Sequence, residues 1–394
     1  MVKSRPRQPT VSGQRPPSRS ASERRERKLT RLGLLDESYI DTVDRLQKVE
    51  YLSGPVTGAQ CGGAMAIAGI LGKARRLTQE QIVFGLSLAL FLAFGLFVRG
   101  FLAPDNVLSL VQNVAILGML GLGMAVTIIG RGIDLSMVAI MAMSVAWTLG
   151  IVDEGHSVAR ALAQGSLFAL AVGLVNGILV AYLEIPAIFA TLAMTTVVYG
   201  FGQFFLVHVD VAYVGASFGW IRELGSGRTG GVPNSVLSFL SLAAVCYGLL
   251  RFTAFGRFLY AMGDSPQSAR VVGIPTRPMM VAQYLFAAAV AYFTGVVMAM
   301  AVDSMNTRIV NSTLVYDVIL VAVIGGVGLS GGKGGVRNVL AGTILIGILL
   351  NGMTMLDMRY TAQSIVKGFV LLAAIIADSM LNPRDEQTSQ QGDI

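Results

Sequence analysis

Residues 73–100 have the sequence KARRLTQEQIVFGLSLALFLAFGLFVRG, and this stretch decides the class of the protein. Its first four residues include three basic side chains, and the apolar run that follows is about 20 residues long, enough to cross the hydrocarbon core of a bilayer. Basic residues that flank a membrane span favour the cytoplasmic side. The stretch therefore predicts a first membrane-spanning helix whose N-terminal end faces the cytoplasm.

Further apolar runs follow along the chain, separated by short polar segments. They predict spans of about 20 residues each, at residues 81–101, 107–129, 133–151, 160–182, 187–207, 233–250, 279–301, 314–329, 338–356 and 361–380. Small residues recur inside these runs, and small residues let helices approach closely in lipid. The predicted fold class is all-α, a polytopic membrane bundle of about ten transmembrane helices. Because the number of spans is even, both termini are expected in the cytoplasm.

The charge of the chain is concentrated near its N-terminus. Only 13% of the residues are charged and the mean hydropathy is +0.65, yet about half of the Lys and Arg residues precede residue 80. A basic tail on an apolar body favours anionic lipid over nucleic acid as its partner. We therefore divide the chain into a largely disordered basic cytoplasmic tail (1–79), a transmembrane domain (80–380) and a cytoplasmic C-terminal tail (381–394). The glycine-rich run 56–72 is interpreted as surface-lying or disordered, and the alternative is an additional span.

The composition argues against an enzyme. The chain has two histidines and two cysteines, Cys61 and Cys246, without the spacing of a metal site, and no pair of residues suggests a nucleophile with its base. Gly332-Lys333 does not complete a phosphate-binding loop, because Val327 occupies the leading glycine position and Gly334 follows the lysine. We expect no catalytic residue, no metal and no cofactor in this chain.

The segment 253–277, TAFGRFLYAMGDSPQSARVVGIPTR, is the longest loop on the predicted cytoplasmic side. Pro266 is typical of the first turn of a helix, with Asp264 or Ser265 as its cap, and Gly273 is typical of a helix end. The segment thus predicts a helix of roughly two turns at the membrane surface. It is either a solvated connector or a docking helix for a cytoplasmic partner.

Four motifs in order along the chain resemble one family. The 253–277 segment resembles the inner loop of permeases of ribose- and xylose-type ATP-binding-cassette (ABC) importers. It matches at Thr253, Phe255, Gly256, Arg257, Ala261, Gly263, Ala269, Gly273 and Ile274. Similar resemblances are carried by GRGIDLSMVA (130–139), PAIFATLAM (186–194) and YDVILVAVIGGVGLSGGKGG (316–335). Three residues depart from the usual pattern. Arg131 and Val138 each stand where a glycine is usual, and Val315 stands where an acidic residue is usual.

The resemblance covers about residues 80–380 and implies a division of labour. Two permease chains, identical or similar, form a pore in the bacterial inner membrane, a cytoplasmic ABC ATPase subunit docks on the inner loops, and a periplasmic sugar-binding protein delivers the solute. It assigns ATPase coupling to the 253–277 loop, and the candidate residues are Arg257, Asp264, Ala269, Arg270 and Gly273. Ala269 is expected at the close contact with the ATPase.

Polar residues inside spans are costly and are therefore candidates for a translocation pathway. The candidates are Asn113, Asp134, Ser136, Thr191, Gln283, Asp317 and Asn351. The alternative for each is a structural role: Asp134 as a helix cap, Asp317 paired with Lys367, and the amides in helix–helix hydrogen bonds. An alternative function is an ion-gradient-driven secondary transporter, but the charged pairs typical of that class are scarce here.

Overall fold

The computed structural model describes the backbone of residues 79–381 and the side chains of residues 79–376. The run 56–72, Cys61 and both predicted tails lie largely or wholly outside these residues. Within them the chain is almost entirely helical. The helices are α1 (Gln79–Phe97), α2 (Pro104–Ile129), α3 (Met137–Asp153), α4 (Val158–Ala181), α5 (Ala187–Phe201), α6 (Glu223–Ser226), α7 (Asn234–Phe252), α8 (Ala254–Asp264), α9 (Pro266–Val271), α10 (Thr276–Val302), α11 (Leu314–Gly325), α12 (Val336–Met355) and α13 (Tyr360–Leu381).

Among the described residues, seven helices are long and apolar enough to cross a membrane, and three shorter apolar helices accompany them. These ten coincide with the ten predicted spans. The fold class, an all-α polytopic membrane bundle, is confirmed. One of the differences is in α11, which ends at Gly325 instead of residue 329, because Gly326 takes a left-handed conformation (φ 101°) that ends the helix.

The centre of the bundle consists of α2, α3 and α10. Almost every residue of α3 is buried, as is the C-terminal half of α2, and α10 packs against both and most extensively against α4. The close α4–α10 contact depends on Gly173 and Gly177, where an added Cβ would overlap Ala288 and Val281 respectively. By contrast, α1 exposes most of its apolar side chains, as a helix that faces lipid does.

Successive spans alternate in direction and define two ends of the bundle. The strand end carries residues 208–233 and 303–313, with an antiparallel pair of strands, β1 (Val211–Tyr213) and β4 (Ser304–Asn306), and a small hairpin of β2 (Arg228–Thr229) and β3 (Val232–Pro233). The junction end carries residues 130–136, 253–275 and 326–335. Helix α1 begins at the junction end, and α13 runs toward it. An even number of spans requires this arrangement.

Candidate functional site

The predicted short helix of the 253–277 loop is present as α9. Ser265 caps it, since its Oγ accepts a hydrogen bond from the Ser268 backbone N–H at 3.2 Å, and Pro266 is its first residue. Gly273 follows with φ 84°, a left-handed conformation that favours glycine. The local signals of the sequence therefore suffice to set the limits of this helix.

The orientation of α9 differs from the expectation for Ala269. Its side chain is only 2% exposed and packs against the bundle, so it faces the core and not the outward surface of the loop. The outward apolar surface is formed instead by Val271 and Val272, which are 86% and 73% exposed. The sequence motif could not show this, because a six-residue helix has no periodicity long enough to define its buried face.

Three chain segments meet directly before α9, and we call their meeting point the junction: residues 129–132, 263–264 and 331–332. The Gly332 N–H donates to the carbonyl oxygen of Ile129 at 2.9 Å. A Cβ at Gly263 would overlap that same carbonyl and the Gly332 backbone, so only glycine fits there. The ends of α2 and α8 and the loop after α11 are thus in backbone contact.

Arg131 adds a side-chain connection to the junction. Its Nε and terminal nitrogen donate hydrogen bonds of 2.7 Å to the carbonyl oxygens of Gly263 and Asp264. The residue has φ 64°, a left-handed conformation that costs an L-residue roughly 1–2 kcal/mol. Two charge-assisted hydrogen bonds offset this cost. The only sequence signal for this role was the arginine at a position where the resembling motif has glycine.

A buried polar cluster lies beside the junction and contains four of the predicted pathway residues. Asp134 Oδ1 accepts hydrogen bonds from the Ser136 N–H (2.9 Å) and hydroxyl (2.6 Å), and Asn176 Nδ2 donates to the Ser136 oxygen (2.7 Å). The Thr191 hydroxyl accepts from the Leu135 N–H at 3.1 Å. All of these polar side chains, and that of Gln283, are at most 1% exposed. A solute cannot reach the cluster in this conformation, and its role here is to hold the loop between α2 and α3.

Some polar atoms at the buried cluster are not satisfied by hydrogen bonds. Among the described residues, Asp134 Oδ2, Asn176 Oδ1, Gln283 Oε1 and the Tyr284 hydroxyl lack a hydrogen-bond partner. Gly130 and Gly132 lie against the Gln283 amide, so the cluster touches the same loop that contributes to the junction. Unsatisfied buried groups are costly and rare in native structures, so each of these atoms requires a specific explanation.

A second polar site joins α11 and α13. Lys367 Nζ lies 3.0 Å from Asp317 Oδ2 and 2.6 Å from the Thr313 hydroxyl oxygen, with both charged side chains less than 10% exposed. The expected Asp317–Lys367 pair is therefore present. A cavity of about 180 Å³ opens beside it, lined in part by Tyr316 and Ser364. Asp317 also lines this cavity, and its Oδ1 is buried without a hydrogen-bond partner among the described residues.

Similarity to known proteins identifies the family of the chain that carries these sites. Residues 106–375, more than half of the chain, match the family described as branched-chain amino acid transport system / permease component. The chain belongs to this permease family. Its relatives include the ribose import permease protein RbsC of Bacillus subtilis (31% identical, 71% of this chain and 86% of the relative). They also include the L-arabinose ABC transporter permease protein AraH of Azospirillum brasilense (30%, 80% and 92%) and RbsC of Escherichia coli K12 (28%, 71% and 87%). No solved structure matches the chain significantly.

The prediction of an ABC importer permease is thereby confirmed in preference to the secondary transporter. Two residues assigned to the permease's coupling loop occupy different surroundings. Arg270 is on α9, and its Nε donates to the Thr276 hydroxyl at 3.2 Å. Arg257 is on α8 and lines a cavity with Arg251 and Arg337, away from α9. The motif grouped these arginines because they are close in sequence, whereas the turn at Ser265 separates them in space.

The last two pathway candidates of the permease lie apart from both polar sites. Asn351 and Asn106 exchange two amide hydrogen bonds, of 3.0 and 3.1 Å, which join α12 to the start of α2. This arrangement agrees with the alternative interpretation, in which the amide side chains form hydrogen bonds between helices. Asn113 is exposed on the side of α2. The structure therefore brings together Asp134, Ser136, Thr191 and Gln283, and leaves Asn113, Asp317 and Asn351 separate.

Proposed function

We propose that the chain is the pore-forming permease of an ATP-driven importer that carries a pentose-like sugar into the cytoplasm. The observation that carries this proposal is the junction, where the residues that lead into a capped surface helix pack against the end of α2 and the loop after α11. A docking helix can couple an ATPase to transport only if its motion reaches the pore. The match to a permease family identifies a class of protein in which a surface helix has this coupling function.

In the proposed mechanism the ATPase subunit holds the end of α9 through Val271 and the adjacent Val272. ATP binding brings the loops of two permease chains together, and the movement passes through Gly263 and Gly332 to the ends of α2 and α11. The pore then changes the side to which it opens. At the strand end, Tyr213 and Trp220 are 69% and 76% exposed, and we assign them to contact with the binding protein.

The solute pathway is proposed to pass the α11–α13 site. A sugar presents hydroxyl groups, and Asp317 and Lys367 supply an acceptor and a donor there while Tyr316 supplies an exposed aromatic face. The cavity holds only about 180 Å³, so it suits a small solute. A permease needs no tight site, because the binding protein can provide selectivity.

The solute class rests on the relatives. The family description names branched-chain amino acids, whereas the three relatives that align over most of their length are two ribose permeases and one arabinose permease by name. We give more weight to the latter because family descriptions group permeases of differing solutes. An amino acid is therefore the comparison solute in the test.

Uptake of a labelled pentose into cells that carry the complete importer should stop when ATP is depleted and should persist when an uncoupler removes the proton gradient at constant ATP. The purified permease alone should not hydrolyse ATP. Excess unlabelled ribose or arabinose should compete, and leucine should not. Loss of uptake with the uncoupler alone would support the alternative function, a secondary transporter. Competition by leucine would overturn the sugar assignment.

We also propose that the junction end faces the cytoplasm. In a variant with Cys61 and Cys246 replaced by serine, Ser226→Cys should react with a membrane-impermeant maleimide added from the periplasm. Gln267→Cys on α9 should react only after the membrane is opened. Both positions are exposed, so accessibility alone does not separate them. The reverse labelling pattern would invert the proposed orientation and place α9 out of reach of any ATPase.

A further inference from the structure

A cavity of about 640 Å³ lies at the junction end, where α7 ends and α1 and α12 begin. Arg251 of α7, Arg257 of α8 and Arg337 of α12 line it, and Glu80 is its one acidic lining residue. All three arginines are exposed, and within the described part of the chain none of them forms an ion pair. Three guanidinium groups around one cavity, with one carboxylate, favour an anionic ligand.

The cavity lies at the level where the apolar helices end. Tyr247 and Phe252 are exposed on the last turns of α7 and pack edge to face, with ring centroids 6.1 Å apart. Aromatic side chains of this kind collect at the boundary between hydrocarbon and headgroups. Tyr260 closes the cavity from α8, since its hydroxyl donates to the Gly334 carbonyl at 2.7 Å. Burial raises the pKa of Tyr260, so the hydroxyl remains a donor at neutral pH.

An apolar groove of about 340 Å³ runs along the same helices nearer the middle of the bundle. It is lined by Phe91, Leu110, Val111, Val114, Ala115, Val236, Phe239, Leu240, Leu340, Ile344 and Ile348, none of which is charged. On α12, Ile344 lies two turns beyond Arg337, and on α7, Leu240 lies three turns before Arg251. The lining extends from Leu340, three residues from Arg337, to Val236, fifteen residues from Arg251, so at 1.5 Å per residue the groove covers about 5–22 Å from the arginines along the helix axes.

We propose that the cavity and the groove together bind one anionic phospholipid of the cytoplasmic leaflet, with its phosphate among the three arginines and an acyl chain in the groove. An acyl chain spans half of the hydrocarbon core, about 15 Å, so a chain that starts at the arginines reaches the nearer part of the groove. Basic cavities between membrane helices are suited to lipid headgroups. A soluble anion would account for the arginines and leave the groove unexplained. The proposal depends on the proposed function in one respect only: the junction end must face the cytoplasm.

Bound lipid would hold α8 against α7 and α12. Because α8 leads through Ser265 directly into the docking helix α9, the headgroup would fix the start of the segment that the ATPase contacts. The site therefore connects the composition of the bilayer with the position of the coupling loop.

The test uses the full-length permease in nanodiscs that contain equal amounts of phosphatidylglycerol and phosphatidylcholine with the same acyl chains. Native mass spectrometry of the released protein counts the lipids that stay bound. The unmodified protein should retain phosphatidylglycerol in preference to phosphatidylcholine by about tenfold or more, given roughly 1 kcal/mol per basic side chain. The variant Arg251→Gln/Arg257→Gln/Arg337→Gln should lose most of this preference.

The matched control is Arg99→Gln/Arg228→Gln/Arg359→Gln, which removes the same charge from exposed positions outside the cavity, at the strand end. It should keep the preference. Leu240→Trp, at a half-exposed position, partly fills the groove and should weaken retention of the long-chain lipid while leaving dihexanoyl phosphatidylglycerol unaffected.

Equal lipid preference in the unmodified protein and the cavity variant would overturn the proposal, and so would an equal loss in the strand-end control. If the cavity variant keeps its lipid preference and loses association with the ATPase, the arginines form a protein docking surface and the lipid assignment is wrong. Lipid counting requires neither transport nor an ATPase, so these outcomes are independent of whether the chain imports a sugar.

Discussion

Val271→Asp/Val272→Asp should separate the permease from its ATPase. Both side chains are more than 70% exposed on the outward surface of the proposed docking segment, and neither takes part in the core. Burying a valine in a contact stabilises it by about 1.5–3 kcal/mol, and an aspartate there would have to be desolvated instead. We expect the amount of ATPase that co-purifies to fall by about tenfold or more, with loss of uptake. Membrane abundance should stay normal because the folded bundle is unchanged.

Two further variants test whether this effect belongs to the docking surface. Trp220→Ala removes an equally exposed apolar side chain at the strand end and should leave ATPase co-purification at the normal level. Ala269→Arg places a charge in the core beneath α9 and should lower membrane abundance itself. Normal ATPase association and uptake in the double aspartate variant would show that the 253–277 loop is a solvated connector.

Lys367→Met should destabilise the permease severely. The ammonium group is within 3.0 Å of both Asp317 and Thr313, and removing it leaves the Asp317 carboxylate buried without a counter-charge. Breaking a buried ion pair in this way costs about 3–5 kcal/mol, a large part of the stability of a domain. Thermal unfolding in detergent and membrane abundance measure the loss.

The double variant Asp317→Asn/Lys367→Met separates a structural pair from a pathway site. Removing both charges should restore most of the stability, because neither group is then left uncompensated. If the pair is only structural, sugar uptake recovers as well. If it lies on the pathway, stability recovers while the KM for uptake remains raised. A Lys367→Met variant as stable as the unmodified protein would show that the pair contributes nothing to folding.

Local signals in the sequence were sufficient for the helices and for α9. The length of each apolar run sets a span, and Ser265, Pro266 and Gly273 each act on their own backbone, so their effect does not depend on the remainder of the fold. The Asp317–Lys367 pair was also predictable. Two opposite charges inside neighbouring spans have few ways to avoid the cost of burial other than by meeting.

Tertiary contacts were not predictable in the same way. Ala269 was placed at the partner contact because it is small, but small residues fit equally well against a core, and only the packing distinguishes the two. Arg257 was grouped with α9 by sequence distance. Arg131 makes its contacts across 132 and 133 residues of chain, and nothing local to it indicates which carbonyl groups it meets.

The junction has a consequence for how such a transporter can diversify. Apart from the two hydrogen bonds of the Arg131 side chain, its contacts are made by peptide groups, which are the same at every residue, and the positions that must stay small are glycines. A solute site elsewhere in the bundle can therefore change its side chains without altering the shape that receives force from the ATPase. On the proposed function, one type of ATPase could serve permeases of different cargo, since what it moves is a backbone geometry that carries no information about the solute.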